Sequence, residues 1–333
     1  MRLFQTRSFL DLKAILLKLI SDIYVVSAAL FKVMIPTIIL VKIAEIMGLV
    51  SWLTILLAPA LKLIGLPAEM ALGLTTTILT NPYAGLLVFA ATPDIADLSV
   101  AQTTIIASFM LFTHNLILEA VISQKAGLRI LTTVTLRLCA GFLFCALLHW
   151  FFTIFGLFSQ AAMLNLPQMA VNPTIVQWCI DQSWGLLFIQ LVIILLIVGL
   201  EILRRLGIDK LIHRVINPFL LFLKIGEQAS TIIVVGFTLG LAYGGGLLVR
   251  NVKQGIVPAK SAAGALVLIN LFHSVFEDTA VLMLLGPSLL IILCVRAAFV
   301  FVFAWVVIGC INRLNDEFFN KLIFNSAIIP KEN

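Results

Sequence analysis

Long runs of apolar residues, each interrupted by only a few polar positions, recur from near residue 23 to near residue 312. A helix needs roughly 20 residues to cross the hydrocarbon core of a bilayer, and these runs have that scale. They lack the strict alternation of barrel strands. A backbone in lipid must also bond within its own segment, so the runs predict helices. The pattern places ten segments, near 23–47, 49–64, 70–91, 99–123, 128–157, 184–203, 211–224, 230–249, 261–283 and 287–312. Those near 49–64 and 211–224 are short and are interrupted by Pro59 and Pro218. The expected fold class is all-α, a polytopic membrane protein of about ten hydrophobic segments.

Composition strengthens the reading. Hydrophobic residues make up 62% of the 333 positions and charged residues only 11%, with a mean hydropathy of +1.15, far above a soluble domain. The net charge of +6 could suggest nucleic acid, but its distribution points to topology. With the N-terminus inside, the inner stretches hold 16 of the 22 basic residues, while those near 92–98, 158–183 and 284–286 hold none and carry Asp94, Asp97 and Asp181. Positive charge stays in the cytoplasm, so both termini are expected there, in the inner (cell) membrane. Lipid is the expected partner, and nucleic acid is not. Eight spans would strand basic clusters outside.

Asp11, Lys13, Lys18 and Asp22 interrupt the start of the chain, which therefore does not read as a cleavable signal peptide. Residues 1–22 read as an amphipathic cytoplasmic segment lying on the membrane, or else as the start of the first span. The remaining division is a first membrane repeat at 23–157, an external linker at 158–183, a second repeat at 184–312 and a cytoplasmic tail at 313–333. The five cysteines, Cys139, Cys145, Cys179, Cys294 and Cys310, have no metal-ligand spacing.

The two halves share uncommon residues at one offset. His114 and His273, Glu119 and Asp278, Gly127 and Gly286, and Arg137 and Arg296 are each 159 positions apart. Gly85 to Val88 matches Gly246 to Val249 at 161, which implies a local change of length. Such matches indicate an internal duplication. Five segments per copy is an odd number, so the second copy is expected upside down, as in many secondary transporters.

Each copy also has a candidate helix break. One contains Asn81, Pro82 and Tyr83, and the other Gly240, Tyr243 and the run Gly244, Gly245 and Gly246. Proline removes a backbone donor and glycine permits non-helical angles, which frees polar groups for a ligand. Kinking or close helix packing is the competing account. Thr75, Thr76, Thr77 and Thr80, with Ser230, Thr231 and Thr238, could line a polar path or simply bond their own helices.

Glu119 and Arg137 flank Gly127 at eight and ten residues, and Asp278 and Arg296 flank Gly286 identically. In hairpins turning at the glycines these groups lie roughly 12 and 15 Å deep, near the middle of a core about 30 Å thick. They read either as bridges locking each hairpin or as parts of a site. His273 and Glu277 share a helix face, whereas His114 and Glu119 lie about 140° apart on an ideal helix. Either that helix is irregular or the two groups serve different neighbours. A histidine beside a carboxylate can exchange protons or ligate a divalent metal.

At these residues the sequence resembles the Gate-domain, or nucleoside-recognition, membrane proteins. The likeness rests on His114-Asn115-Leu116 followed by Glu119, on Ala126-Gly127 and Arg137, on the block from His273 to Arg296, and on Asn81-Pro82. It implies two Gate units and passage of a nucleoside-like solute or a cation. The chain departs from the related iron carriers in lacking both a Gly-Cys-x-x-Pro element and a GTP-binding P-loop.

The expected function is a secondary transporter, with proton coupling as one form, binding its solute through His114, Asn115, Glu119, Arg137, His273, Glu277, Asp278, Arg296, Asn81, Tyr83, Tyr243 and Gly245. A non-transporting structural or accessory subunit is the alternative. No enzymatic role is expected, since neither HExxH nor GxSxG occurs. No cofactor is called for, the metal question stays open, and a homo-oligomer is compatible with the reading.

Overall fold

A computed structural model of the chain describes residues 2–92, 95–167, 169–170, 173–207, 214, 218, 225, 229, 232–233, 236–237 and 241–326. Among the described residues every extended regular element is helical.

Helix α1, Arg2–Ile46, runs for 45 residues without interruption. The expected N-terminal segment and first span are therefore one continuous rod, whose apolar part is Leu17–Ile46. Helix α2 (Leu49–Leu63) follows, and the chain then bends by 113° into α3 (Ala71–Leu79).

The segment expected near 70–91 is not one crossing. Helix α3 ends at Thr80, and α4 (Pro82–Ala90) starts from the Asn81 cap with proline at its first turn. A Cβ added at Gly73 would meet the Phe89 ring, and one at Gly85 would meet Thr77. Residues equally far on either side of Asn81 thus touch, so α3 and α4 form an antiparallel helical hairpin. Nine residues per arm reach about 13 Å, under half the thickness of a bilayer core.

Helices α5 (Val100–Thr113) and α6 (Leu116–Lys125) together make one span broken at His114 and Asn115, and α7 (Ile130–Phe155) returns. Helix α8, Ile175–Arg205, begins the second half. The predicted segment near 211–224 and most of that near 230–249, including Ser230, Thr231 and Thr238, lie outside the described residues. Helix α9 (Leu241–Lys253) covers the end of the latter. Then come α10 (Ala259–Leu271), α11 (Val275–Leu282) and a π-helical stretch at Leu290–Val295 that runs into α12 (Arg296–Arg313).

Six helices among the described residues are long and apolar enough to cross a membrane, or seven if the bent pair of α2 and α3 is one span. Of the ten expected segments, that near 211–224 and most of that near 230–249 lie outside the described residues, and that near 70–91 is the hairpin, whose apolar sequence is indistinguishable by hydropathy from a crossing. The spans 100–125 and 259–285 are central, each 72% buried over its apolar window. Spans 130–155 and 290–313 flank them at 33%, and α1 and α8 lie outermost at 11%. The large apolar side chains exposed on the outer helices, such as Trp52, Leu56 and Trp184, suit lipid contact.

The two central spans run in opposite directions. At one end, Leu98 accepts from the Ala162 amide while Leu284 accepts from the nearby Asn165 amide. This end joins the start of span 100–125 to the finish of span 259–285. At the other end, Gly127 accepts from Asn325, and Lys260 reaches Leu314 and Asp316. Lys125, Arg129, Lys260, Arg313 and Lys321 all belong to this second end.

Backbone conformation repeats at the sequence offset. Gly48 and Gly207, Asn115 and Ser274, and Gly127 and Gly286 all have positive φ, and each pair is 159 apart. Helices α1 and α8 end at Ile46 and Arg205, again 159 apart.

Candidate functional site

The site forms where the two central spans break. His114 ends α5 with an extended ψ of 153°, and Asn115 adopts the left-handed region with φ 51° before α6 begins. A non-glycine residue there is uncommon and persists only when its surroundings hold it. Part of that hold is the Asn115 amide, which donates to Thr77 O at the hairpin tip over 3.2 Å. The second span repeats the break, with Ser274 at φ 45° and its amide 3.5 Å from Gly236 O. Thr77 and Gly236 are themselves 159 apart.

This irregularity removes the 140° conflict between His114 and Glu119. The break swings both groups to one side, and the two spans trade contacts reciprocally. His114 Nε2 lies 3.3 Å from Asp278 Oδ2, and His273 Nε2 lies 3.2 Å from Glu119 Oε1. His114 Nε2 and His273 Nε2 meet at 3.1 Å, and Glu119 Oε1 is 3.6 Å from His114 Nε2. Equivalent residues touching one another are the mark of a two-fold relation. All four side chains are buried.

Each ring is fixed from behind. His114 Nδ1 lies 2.9 Å from Met110 O, and His273 Nδ1 lies 2.9 Å from Ile269 O. A carbonyl only accepts, so each Nδ1 carries a hydrogen, and in the neutral tautomer that this fixes each Nε2 presents a lone pair to the centre.

The two arginines differ. Arg137 bridges Glu119 through its Oε2 and donates to Phe112 O at 2.6 Å and His114 O at 2.8 Å. It thereby satisfies carbonyls that the end of α5 leaves open. Arg296 makes no matching bridge to Asp278. Its Nε and Nη2 are buried without a hydrogen-bond partner, and its guanidinium lies over the Phe272 ring, 4.6 Å from the centroid. The expected second bridge is therefore not formed, and Asp278 turns Oδ2 toward His114 instead.

The remaining predicted residues divide. Tyr83 donates to Glu277 Oε1 at 3.2 Å, tying the hairpin to α11 beside the cluster. Asn81 is buried as the cap of α4, accepting from the Ala84 amide at 2.9 Å, so it supports the hairpin tip. Thr77 and Thr80 donate to the carbonyls of Gly73 and Thr76 in their own helix, as the bland account expected. Tyr243 and Gly245 lie on α9, and the Tyr243 side chain is outside what the structure describes. Sequence reasoning missed the Asn270 and Ser123 pair, in which Asn270 Nδ2 donates to Ser123 Oγ at 2.9 Å across the two spans. An asparagine alone in the apolar run 262–272 was the available signal.

No family model matches the chain, and no solved structure matches it. The chain is similar to the uncharacterized membrane protein YvoD of Bacillus subtilis (strain 168), with 27% identity over 268 residues, covering 80% of this chain and 85% of that protein. The apolar helices and this likeness agree that the chain is a multi-pass membrane protein.

Proposed function

We propose that the chain is a secondary transporter for a small polar solute of nucleoside-like kind or a cation, built as two inverted copies of one Gate-type unit. The observation that carries this reading is the reciprocal His114–Asp278 and His273–Glu119 contact at the breaks of two antiparallel spans. Ionisable groups are expensive in a membrane interior, and where they converge at helix breaks between repeats they mark a binding site. Among the described residues, spans 17–46, 100–125 and 130–155 correspond to 175–203, 259–285 and 290–313. With the bent pair of α2 and α3 left out as a crossing, that is three per copy, an odd number that supports an inverted arrangement. The basic end of the bundle is assigned to the cytoplasm.

Purified chain in proteoliposomes, assayed for uptake of labelled uridine and labelled divalent cations, tests the reading. Uptake above protein-free vesicles, lost in a His114→Gln, His273→Gln variant that reconstitutes equally well, is the expected result. Absence of flux for both classes from well-folded protein would overturn it and leave an accessory subunit.

A further inference from the structure

We propose that His114, His273, Glu119 and Asp278 form a binding site for a tetrahedrally coordinated divalent transition-metal cation of the Zn²⁺ kind. As the cargo of a carrier, the ion rests on the reading given above; as a bound ligand, it stands on the geometry alone.

With the rings neutral, the converging atoms are all acceptors. With Nδ1 of each ring donating to a backbone carbonyl, the two Nε2 atoms turn lone pairs on each other at 3.1 Å. Glu119 Oε1 adds a carboxylate oxygen to the same space, and Asp278 Oδ2 borders it beside His114 Nε2. Asp278 Oδ2 is buried and has no hydrogen-bond donor, although Arg296 is within electrostatic reach. Such an arrangement calls for positive charge at its centre, either as protons on Nε2 or as a bound cation. A proton shared by the rings bridges one pair of atoms, whereas a cation between them meets both Nε2 lone pairs and the Glu119 oxygen together.

The spacing suits a metal. Bonds of about 2.0–2.1 Å at tetrahedral angles separate ligand atoms by about 3.3 Å. His114 Nε2, His273 Nε2 and Glu119 Oε1 are 3.1, 3.2 and 3.6 Å apart, so a point about 2 Å from all three exists between them. Asp278 Oδ2, 3.3 Å from His114 Nε2, stands beside this three-atom set and supplies the fourth donor by turning toward the ion. Two imidazoles with two carboxylates favour Zn²⁺ or its neighbours over Mg²⁺ and Ca²⁺, which require more oxygen ligands. The outer contacts also fit, since ligating histidines usually donate their other N–H to a carbonyl or carboxylate, and ligating carboxylates are themselves held. Here the Met110 and Ile269 carbonyls and the Arg137 guanidinium fill those roles.

Titrating purified full-length protein with Co²⁺ tests the site, because four-coordinate Co²⁺ absorbs visible light far more strongly than the six-coordinate ion. One equivalent should develop intense bands that Zn²⁺ abolishes by displacement. His114→Gln and His273→Gln should remove the bands, and Asp278→Asn, which breaks no arginine bridge, should weaken Co²⁺ affinity by about tenfold or more while elution and helicity stay unchanged. Weak six-coordinate bands only, or equal binding by a His114→Gln, His273→Gln variant, would overturn the proposal. Uridine uptake by protein that binds no Co²⁺ would sink the metal site and keep the carrier. Tight tetrahedral Co²⁺ without flux of uridine or of any cation would keep the site and sink the carrier.

Discussion

At the scale of single residues, two arginines in matched positions do unequal work. Arg137 holds a buried carboxylate and two open carbonyls, so Arg137→Met leaves all three unpaired and should cost about 3–5 kcal/mol. Arg296→Met removes a guanidinium with two unpaired nitrogens and should change stability by less than about 1 kcal/mol or raise it. Thermal unfolding of both variants in detergent checks the contrast, and equal losses would contradict it. The sequence identified His114, Glu119, Arg137 and their counterparts because uncommon residue types recurred at one spacing. It could not reveal that His114 and Glu119 face one ligand, because that depends on the left-handed backbone at Asn115, and spacing on an ideal helix points the wrong way. Nor could it reveal the Tyr83 to Glu277 bond, which joins residues 194 positions apart.

At the scale of elements, the hairpin of α3 and α4 is the part that hydropathy misjudged. Asn81 and Pro82 signalled a break, but reversal depends on packing between the arms. That packing is tight at Gly85, where any Cβ would run into the Thr77 side chain and approach Gly73 O to 3.3 Å. Gly85→Val should therefore destabilise the protein by about 1–3 kcal/mol through overpacking. Gly199→Val on α8, where a Cβ meets nothing within 4 Å, is the matched control. A melting temperature lowered equally in both would show that the arms are not closely packed. The breaks in the central spans were less legible still: the 140° separation of His114 and Glu119 left an irregular helix as one of two alternatives, and nothing in the sequence singled out Ser274.

At the scale of the whole molecule, the apolar pattern defined most of the central and flanking spans, and the distribution of basic residues agrees with one end of the bundle gathering Lys125, Arg129, Lys260, Arg313 and Lys321. The number of crossings was less legible, since short apolar helices can turn back within the membrane. The unequal bonding of the two arginines has a mechanical consequence. One break is clamped and the other is slack, so a molecule assembled from matched parts has a stiff half and a yielding half. Amide hydrogen exchange should accordingly be faster along α11 than along α6, because local opening follows the weakest set of bonds, and mass spectrometry of peptides covering 275–282 and 116–125 would measure it. The half that gives first is the one carrying Asp278, whose carboxylate therefore has the greater freedom to travel.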